Sequence, residues 1–278
     1  MFMPGFMPWW GPGVGRQPDL EVLHRRPPNG ANATPLVFVH GAFVGAWCWD
    51  EYFLRWFADR GYDVYALSLR GHGDSGGDLD ASGISDYVAD LASVVEQLAT
   101  PPVIIAHSMG ALVAQRYIER HAAAAAVFMA SVPLTGLMES SLRLFRDDPN
   151  LFSQMALMEV SPKTVDLSVA QRAIFSDHID AALLDRCARR VQRESERAVW
   201  DMTMGALARP WRAQAIPMLV MGAEEDRLFS PSEIRRLGEA YSAPVHIESG
   251  MAHAMMLEPG WEGIAQRIDG WLRDNQIA

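Results

Sequence analysis

Val103-Ile-Ile-Ala-His-Ser-Met-Gly110 is the stretch from which the rest of the chain can be read. Its first four residues make a short apolar run of the kind that fills a strand buried on both faces. Ser108 follows, and directly after it Met109–Arg120 has the pattern of a helix. Ala106 and Gly110 flank the serine at minus and plus two. A strand-to-helix turn this sharp needs small residues there, because larger side chains would collide across it. The turn holds the serine hydroxyl exposed at a helix N-terminus, where the helix dipole favours developing negative charge. A serine that only caps a helix needs neither the buried strand nor the small neighbours. The stretch therefore predicts a nucleophile.

Outward from this turn, β-rich runs alternate with helical patterns, the signature of an α/β fold with a mostly parallel sheet and crossover helices. The strand candidates are Leu36–Val39, Asp63–Leu69, Val103–Ala106, Ala124–Ala130, Pro217–Met221 and Pro244–Glu248, and residues 19–26 can add an edge strand. Trp49–Asp59 places Trp49, Phe53, Trp56 and Phe57 on one helical face and stops at Gly61. Tyr87, Leu91, Val94, Val95 and Leu98 form a second stripe, ended by Pro101-Pro102, and Trp261–Arg273 reads as a last helix. From about Pro133 to Ala213 the alternation stops. Helix-like pieces such as Ala181–Arg197 replace it, which predicts a helical cap inserted between two strands, over the edge where open α/β sheets bind ligands. Phe145, Phe152, Met155, Met158, Phe175, Trp200 and Met202 would roof an apolar pocket there. The expected division is an N-terminal arm at 1–34, a core at 35–132 and 214–278, and a cap at 133–213.

Composition narrows the function classes. The 278 residues are 49% hydrophobic, enough for one sizeable core, and carry a formal net charge of −10 with no basic stripe. A nucleic-acid partner is not expected. Cys48 and Cys187 stand far apart and form no CxxC pair, so neither a zinc site nor a disulfide framework is predicted. Two lone cysteines fit a reduced compartment, and a cytoplasmic location is the expectation. No apolar run approaches the ~20 residues of a membrane span. The opening MFMPGFMPWWGPG is rich in Met, Phe and Trp but broken by Pro and Gly, unlike a secretory signal. It reads as a loosely packed arm, or as one that docks Trp9 and Trp10 on a partner subunit, a lipid surface or the substrate groove.

A serine is a poor nucleophile without an adjacent base that a third group orients. Phe38-Val-His-Gly-Ala-Phe43 ends another apolar strand, and His40-Gly41 lets the backbone turn close to Ser108. A main-chain N–H from this loop, Ala42 first and Phe43 as the alternative, can join that of Met109 in a two-donor oxyanion hole. Among the histidines, His40 reads as structural, His107 lies inside the elbow pointing away from the nucleophile, His121 follows a helix and His178 falls in the cap. His246 alternates along a strand, and His72 belongs to the glycine-rich Arg70-Gly-His-Gly-Asp-Ser75. His253, in Ser249-Gly-Met-Ala-His-Ala-Met-Met-Leu-Glu-Pro259, follows the last strand and is the predicted base. Met218-Leu-Val-Met-Gly-Ala-Glu-Glu-Asp226 supplies carboxylates after another strand. The shorter Asp226, in a tight loop, is the predicted acid, with Glu225 as the alternative.

These motifs, in the order Ser108, Asp226, His253, resemble the α/β-hydrolase superfamily over about residues 35–275. His40-Gly-Ala-Phe-Val-Gly-Ala-Trp47 and His253-Ala-Met-Met-Leu-Glu-Pro259 look like the branch that holds plant methyl-ester esterases and hydroxynitrile lyases. The lyases typically carry a threonine and a lysine where this chain has Gly41 and Ala254. The resemblance therefore implies ester hydrolysis through an acyl-enzyme, with no cofactor and no metal, on a small to medium, largely apolar ester, thioester or lactone. Ser108 speaks against the epoxide hydrolases and haloalkane dehalogenases, whose nucleophile is an aspartate. Two other readings stand beside it: lyase or cofactor-free oxygenase chemistry on the same scaffold, and a small-molecule receptor with a vestigial triad.

Overall fold

A computed structural model describes residues 18–28, 30, 34–160 and 167–277. The Met- and Trp-rich arm lies outside them. Among the described residues, β1 (Val22–Arg25), β2 (Leu36–Val39), β3 (Val64–Leu67), β4 (Val103–His107), β5 (Ala125–Met129), β6 (Met218–Ala223) and β7 (Val245–Glu248) form one sheet in the order β1-β3-β2-β4-β5-β6-β7. β1 runs antiparallel to β3, and every other pairing is parallel. Each predicted strand is present within a residue or two of its expected bounds. β1 is the edge strand expected from residues 19–26.

The central strands β2, β4, β5 and β6 are apolar but for His107 at the end of β4, because both their faces are covered. Leu36 and Phe38 of β2 and Val103 and Ile105 of β4 pack with α1 (Trp47–Asp50) and α2 (Phe53–Ala58). Val37, Val39, Ile104 and Ala106 point the other way, onto α3 (Ile84–Val95) and α4 (Met109–Ile118). Every residue of β2 and of β4 is buried. Burying each large apolar side chain contributes roughly 1.5–3 kcal/mol, so these two strands anchor the loops that leave their ends.

Between β5 and β6 the described residues are helical or irregular: α5 (Leu137–Asp147), α6 (Pro149–Val160), α7 (Leu167–Ile174), α8 (Ala181–Arg190) and α9 (Glu196–Trp200). After β6 come α10 (Pro231–Tyr241) and α11 (Trp261–Asp274). No helix of the described residues is long and apolar enough to cross a membrane.

Two helices differ from expectation. Trp49–Asp59 is broken into α1 and α2, and at the break Tyr52 leaves helical backbone to stack on Trp261 with ring centroids 4.7 Å apart. Gly61 does close the segment with a left-handed φ of 95°. Ala181–Arg197 is likewise two helices, α8 and α9, separated by an extended stretch at 191–195. That stretch contains no helix-breaking residue. Its backbone and side chains are instead taken by hydrogen bonds to the core loops, and tertiary bonding overrides local helix propensity.

Candidate active site

The Ser108 elbow is built from its neighbours. Its φ of 52° and ψ of −118° are costly for a residue with a Cβ. The geometry is held by the Ser108 N–H donating to the Met129 carbonyl at 3.0 Å, while the Ser108 carbonyl accepts from the Ala111 N–H at 3.0 Å. A Cβ on Gly110 would run into the carbonyl oxygens of Val39 and His40. Only glycine fits there, which is the steric demand the sequence pattern implied.

The loop after β2 presses against the same turn. A Cβ on Gly41 would lie 2.9 Å from His107 Nδ1 and 3.0 Å from Ser108 Cβ. His40 holds this loop from beneath. Its Nε2 accepts from the Leu69 N–H at 2.9 Å, so Nδ1 carries the hydrogen and donates to the Gly41 carbonyl at 2.7 Å. Burial pushes its pKa down to about 3, and it stays neutral. Phe43 has a φ of 66°, and both its backbone groups are engaged: its N–H donates to Glu194 Oε2 at 3.4 Å, and its carbonyl accepts from the Gln192 N–H at 3.0 Å. The N–H groups of Ala42 and Met109 donate to no protein acceptor among the described residues.

His253 and Asp226 meet where the loops after β6 and β7 converge, tied by the Glu225 N–H donating to the Met251 carbonyl at 2.8 Å. His253 Nδ1 lies 2.8 Å from Asp226 Oδ2, and both residues are buried. The other carboxylate oxygen accepts the N–H groups of Leu228 and Phe229 at 2.8 and 2.9 Å. Asp226 is thus acceptor-only in a fixed pose, which places the hydrogen on His253 Nδ1 and leaves Nε2 with a lone pair. Glu224 and Glu225 are exposed to solvent. His107 sends Nε2 to the His253 carbonyl at 2.9 Å and braces the loop from below. Burial, with the adjacent His253 ring, pushes its pKa well down.

Ser108 and His253 line one cavity, without a hydrogen bond from the Ser108 hydroxyl to the imidazole. Such bonds commonly tighten only around a bound substrate. Serine, histidine, aspartate and the two unengaged N–H groups are all at the carboxyl ends of β2, β4, β6 and β7.

What sequence reasoning missed is Glu194. Flanked by arginines and read as part of a continuous helix, it carried no periodic signal of burial. Its Oε2 accepts from His72 Nε2 at 2.9 Å, and its Oε1 accepts from the Tyr87 hydroxyl and the Ser195 N–H, both at 2.8 Å. His72 Nδ1 faces the Arg70 carbonyl at 3.1 Å, so both ring nitrogens donate and the ring is cationic. Burial opposes that charge, but the Glu194 carboxylate outweighs it and raises the His72 pKa; in the same way, burial opposes and the imidazolium enforces a lowered pKa for Glu194. The histidine contribution to stability is complete below the unfolded value of about 6.5 and is lost as pH rises through the raised folded value. The glutamate contribution is present above its unfolded value and is lost as pH falls through the lowered one. His72→Gln should therefore lower Tm most near about pH 6 and less near about pH 9. Melting curves of both proteins across that range check this, and a deficit that grows with pH would count against the ion pair.

Two apolar lobes meet at Ser108. One, of about 160 Å³, lies on the His253 side, walled by Cys48, Leu184, Cys187, Ala188 and Met256. The other, of about 390 Å³, runs past Val132, Ser141, Phe152, Met202 and Thr203. Of the expected roof residues, Phe152, Met155, Phe175 and Met202 line these lobes, whereas Phe145 and Trp200 are exposed. The Met158 side chain lies outside the described residues. Among the described residues, no lysine, arginine, aspartate or glutamate lines either lobe. Both cysteines are buried and free, and burial raises their pKa values, that of Cys187 to about 11. No cluster of three or more His, Cys, Asp or Glu among the described residues is placed to hold a metal.

The model of the alpha/beta hydrolase family matches residues 36–266. A stretch of 126 residues, 44% of the chain, is 37% identical to a non-heme haloperoxidase of Rhodococcus erythropolis and covers 44% of that protein. Another, of 89 residues and 30% of the chain, is 38% identical to methyl jasmonate esterase 1 of Vitis vinifera and covers 33% of it. The matches span less than half the length of these curated relatives. An esterase from Exiguobacterium antarcticum has a similar structure, with a TM-score of 0.75 over 92% of this chain and 96% of that one, at 14% identity. That likeness speaks for the fold alone.

Proposed function

The chain belongs to the alpha/beta hydrolase family, and on that premise we propose that it cleaves carboxylic esters (or thioesters or lactones) through an acyl-enzyme on Ser108. The observation that carries the reading is a serine on a strained elbow, facing a cavity it shares with a histidine whose tautomer is fixed by a buried aspartate. His253 Nε2 takes the Ser108 proton as Oγ attacks the carbonyl carbon. The N–H groups of Ala42 and Met109 receive the oxyanion. His253 then protonates the leaving alcohol, and water repeats the cycle on the acyl-enzyme. Ala42 is preferred over Phe43 because the Phe43 N–H is already given to Glu194. The sequence of steps needs no cofactor and no metal, and the helical segment at 133–213 serves as the cap over the substrate.

The described lining of the two lobes is uncharged and mostly apolar, which suits a neutral ester. They also assign its two halves. The leaving alcohol must lie within reach of His253, which lines only the smaller lobe, so the acyl group belongs in the larger one. Ala188→Trp should cut kcat/KM at least tenfold for esters of bulky alcohols while sparing methyl esters. Ser141→Trp should do the same for bulky acyl groups. A panel varying one half at a time checks this, and equal losses on both series would refute the assignment.

Lyase chemistry is disfavoured because the cavity carries Ala254 where the lyases typically have a lysine, and no lysine stands among the described residues that line it. The test of the whole reading sets a small aryl ester against an aromatic cyanohydrin, with fluorophosphonate labelling of Ser108 alongside. Serine-dependent cyanide release that outpaces ester cleavage would overturn it. The haloperoxidase relative sets a competing reaction, so bromide and hydrogen peroxide belong in the same panel.

A further inference from the structure

We propose that Glu194 is a positioning residue for the oxyanion hole: from the segment between α8 and α9, its carboxylate holds Phe43 in left-handed backbone and so aims the Ala42 N–H at the reacting carbonyl. The inference rests on the acyl-enzyme reading above. Its own observations are separate from the triad.

Phe43 has a φ of 66°, a conformation that costs a residue with a Cβ on the order of 1–3 kcal/mol and persists only where the surroundings enforce it. The enforcing contacts come from one side. Glu194 Oε2 accepts the Phe43 N–H at 3.4 Å, and the Gln192 N–H donates to the Phe43 carbonyl at 3.0 Å. Both backbone groups of the strained residue are thus clamped by a stretch some 150 residues later in the chain. The clamp is itself immobilised. Glu194 Oε2 also accepts from His72 Nε2, and Oε1 accepts from the Tyr87 hydroxyl and the Ser195 N–H. Four donors surround one buried carboxylate, so the orientation of Oε2 is fixed from three elements.

Releasing Phe43 would let its peptide units rotate toward ordinary backbone. The neighbouring Ala42 N–H is displaced by the same rotation. An oxyanion donor acts through geometry fixed before the reaction, and removing one outright costs roughly 10²–10³ in kcat. Misaiming it costs less. The carboxylate touches neither substrate nor nucleophile, so binding of the ground-state ester is largely unaffected.

Glu194→Gln puts an amide NH2 where two donors converge, whichever way it is turned. It should lower kcat about 10–100-fold with KM changed less than about threefold, and slow fluorophosphonate labelling of Ser108 by the same factor as kcat/KM. Because the substitution disturbs a buried ion pair, Tyr87→Phe provides a milder variant, loosening the carboxylate by removing one donor to Oε1. It should give a several-fold loss of the same pattern, and it decides the matter if Glu194→Gln does not fold. Arg193→Ala, which breaks an exposed pair with Asp80 in the same segment, serves as the control and should retain full activity. A folded Glu194→Gln or Tyr87→Phe protein with unchanged kcat and labelling rate, or with loss confined to KM and Tm, overturns the proposal. A wild-type protein that labels but cleaves no ester would remove the ester reading, while the labelling rates of the variants still decide the role of Glu194. A wild-type protein that does not label at all overturns both.

Discussion

Ser108→Ala is expected to abolish ester turnover, with a fall in kcat of roughly 10⁵–10⁶, and to end fluorophosphonate labelling, while the protein melts within a few degrees of wild type. The chemical loss is total because, among the described residues, no other hydroxyl or thiol of comparable placement faces His253. Cys48 and Cys187 line the same lobe, but burial keeps both thiols protonated. The structural loss is small for two reasons. Among the described residues the Ser108 hydroxyl makes no hydrogen bond, and the bonds that shape the elbow are made by its main chain. Alanine meets the same backbone strain as serine, so that cost does not change. Retained labelling in the variant would mean that the elbow has been misread.

Asp226→Asn is expected to lower kcat by roughly 10³–10⁴, and the structure says why so small a change does so much. Asp226 Oδ1 receives two backbone N–H groups, from Leu228 and Phe229. An asparagine in that pose must offer its carbonyl oxygen to those donors, because its NH2 would clash with them as donor against donor. The NH2 then faces His253 Nδ1, which can only accept. The imidazole hydrogen is driven to Nε2, the atom that must be bare to take the serine proton. Glu225→Gln, at an exposed side chain outside this contact, should change kcat less than about twofold. Rates for the two variants on one aryl ester check the ranking, and the reverse order would move the acid role to Glu225.

The elbow and the loops around it were legible in the sequence because they are set by local sterics. Gly110 and Gly41 answer to close approaches that no other residue allows, and strands buried on both faces announce themselves as unbroken apolar runs. Asp226 could be preferred over Glu225 because a short side chain in a tight loop is the better-fixed acceptor, and the structure buries Asp226 and exposes its neighbour. The misses are tertiary. Tyr52 breaks a helix to reach Trp261, more than 200 residues away. The 191–195 stretch leaves helical backbone for hydrogen bonds to loops that sequence separation hides. Glu194, inside the segment read as the helix Ala181–Arg197, offered no sign of its role, which comes only from its encounter with His72 and Tyr87. The two lobes depend on how α5 to α8 lie over the sheet, which no periodicity encodes.

The placement of the two cysteines bears on how the protein would wear under oxidative conditions. Both cysteines form part of the wall of the smaller lobe, which Ser108 and His253 also line. Because burial keeps both thiols protonated they would react slowly, and an oxidant that did reach them would add oxygen to the wall rather than to the Ser108 hydroxyl. The damage would then narrow the range of alcohols accepted before it removed turnover, so an ageing preparation would change in selectivity first and in total activity later.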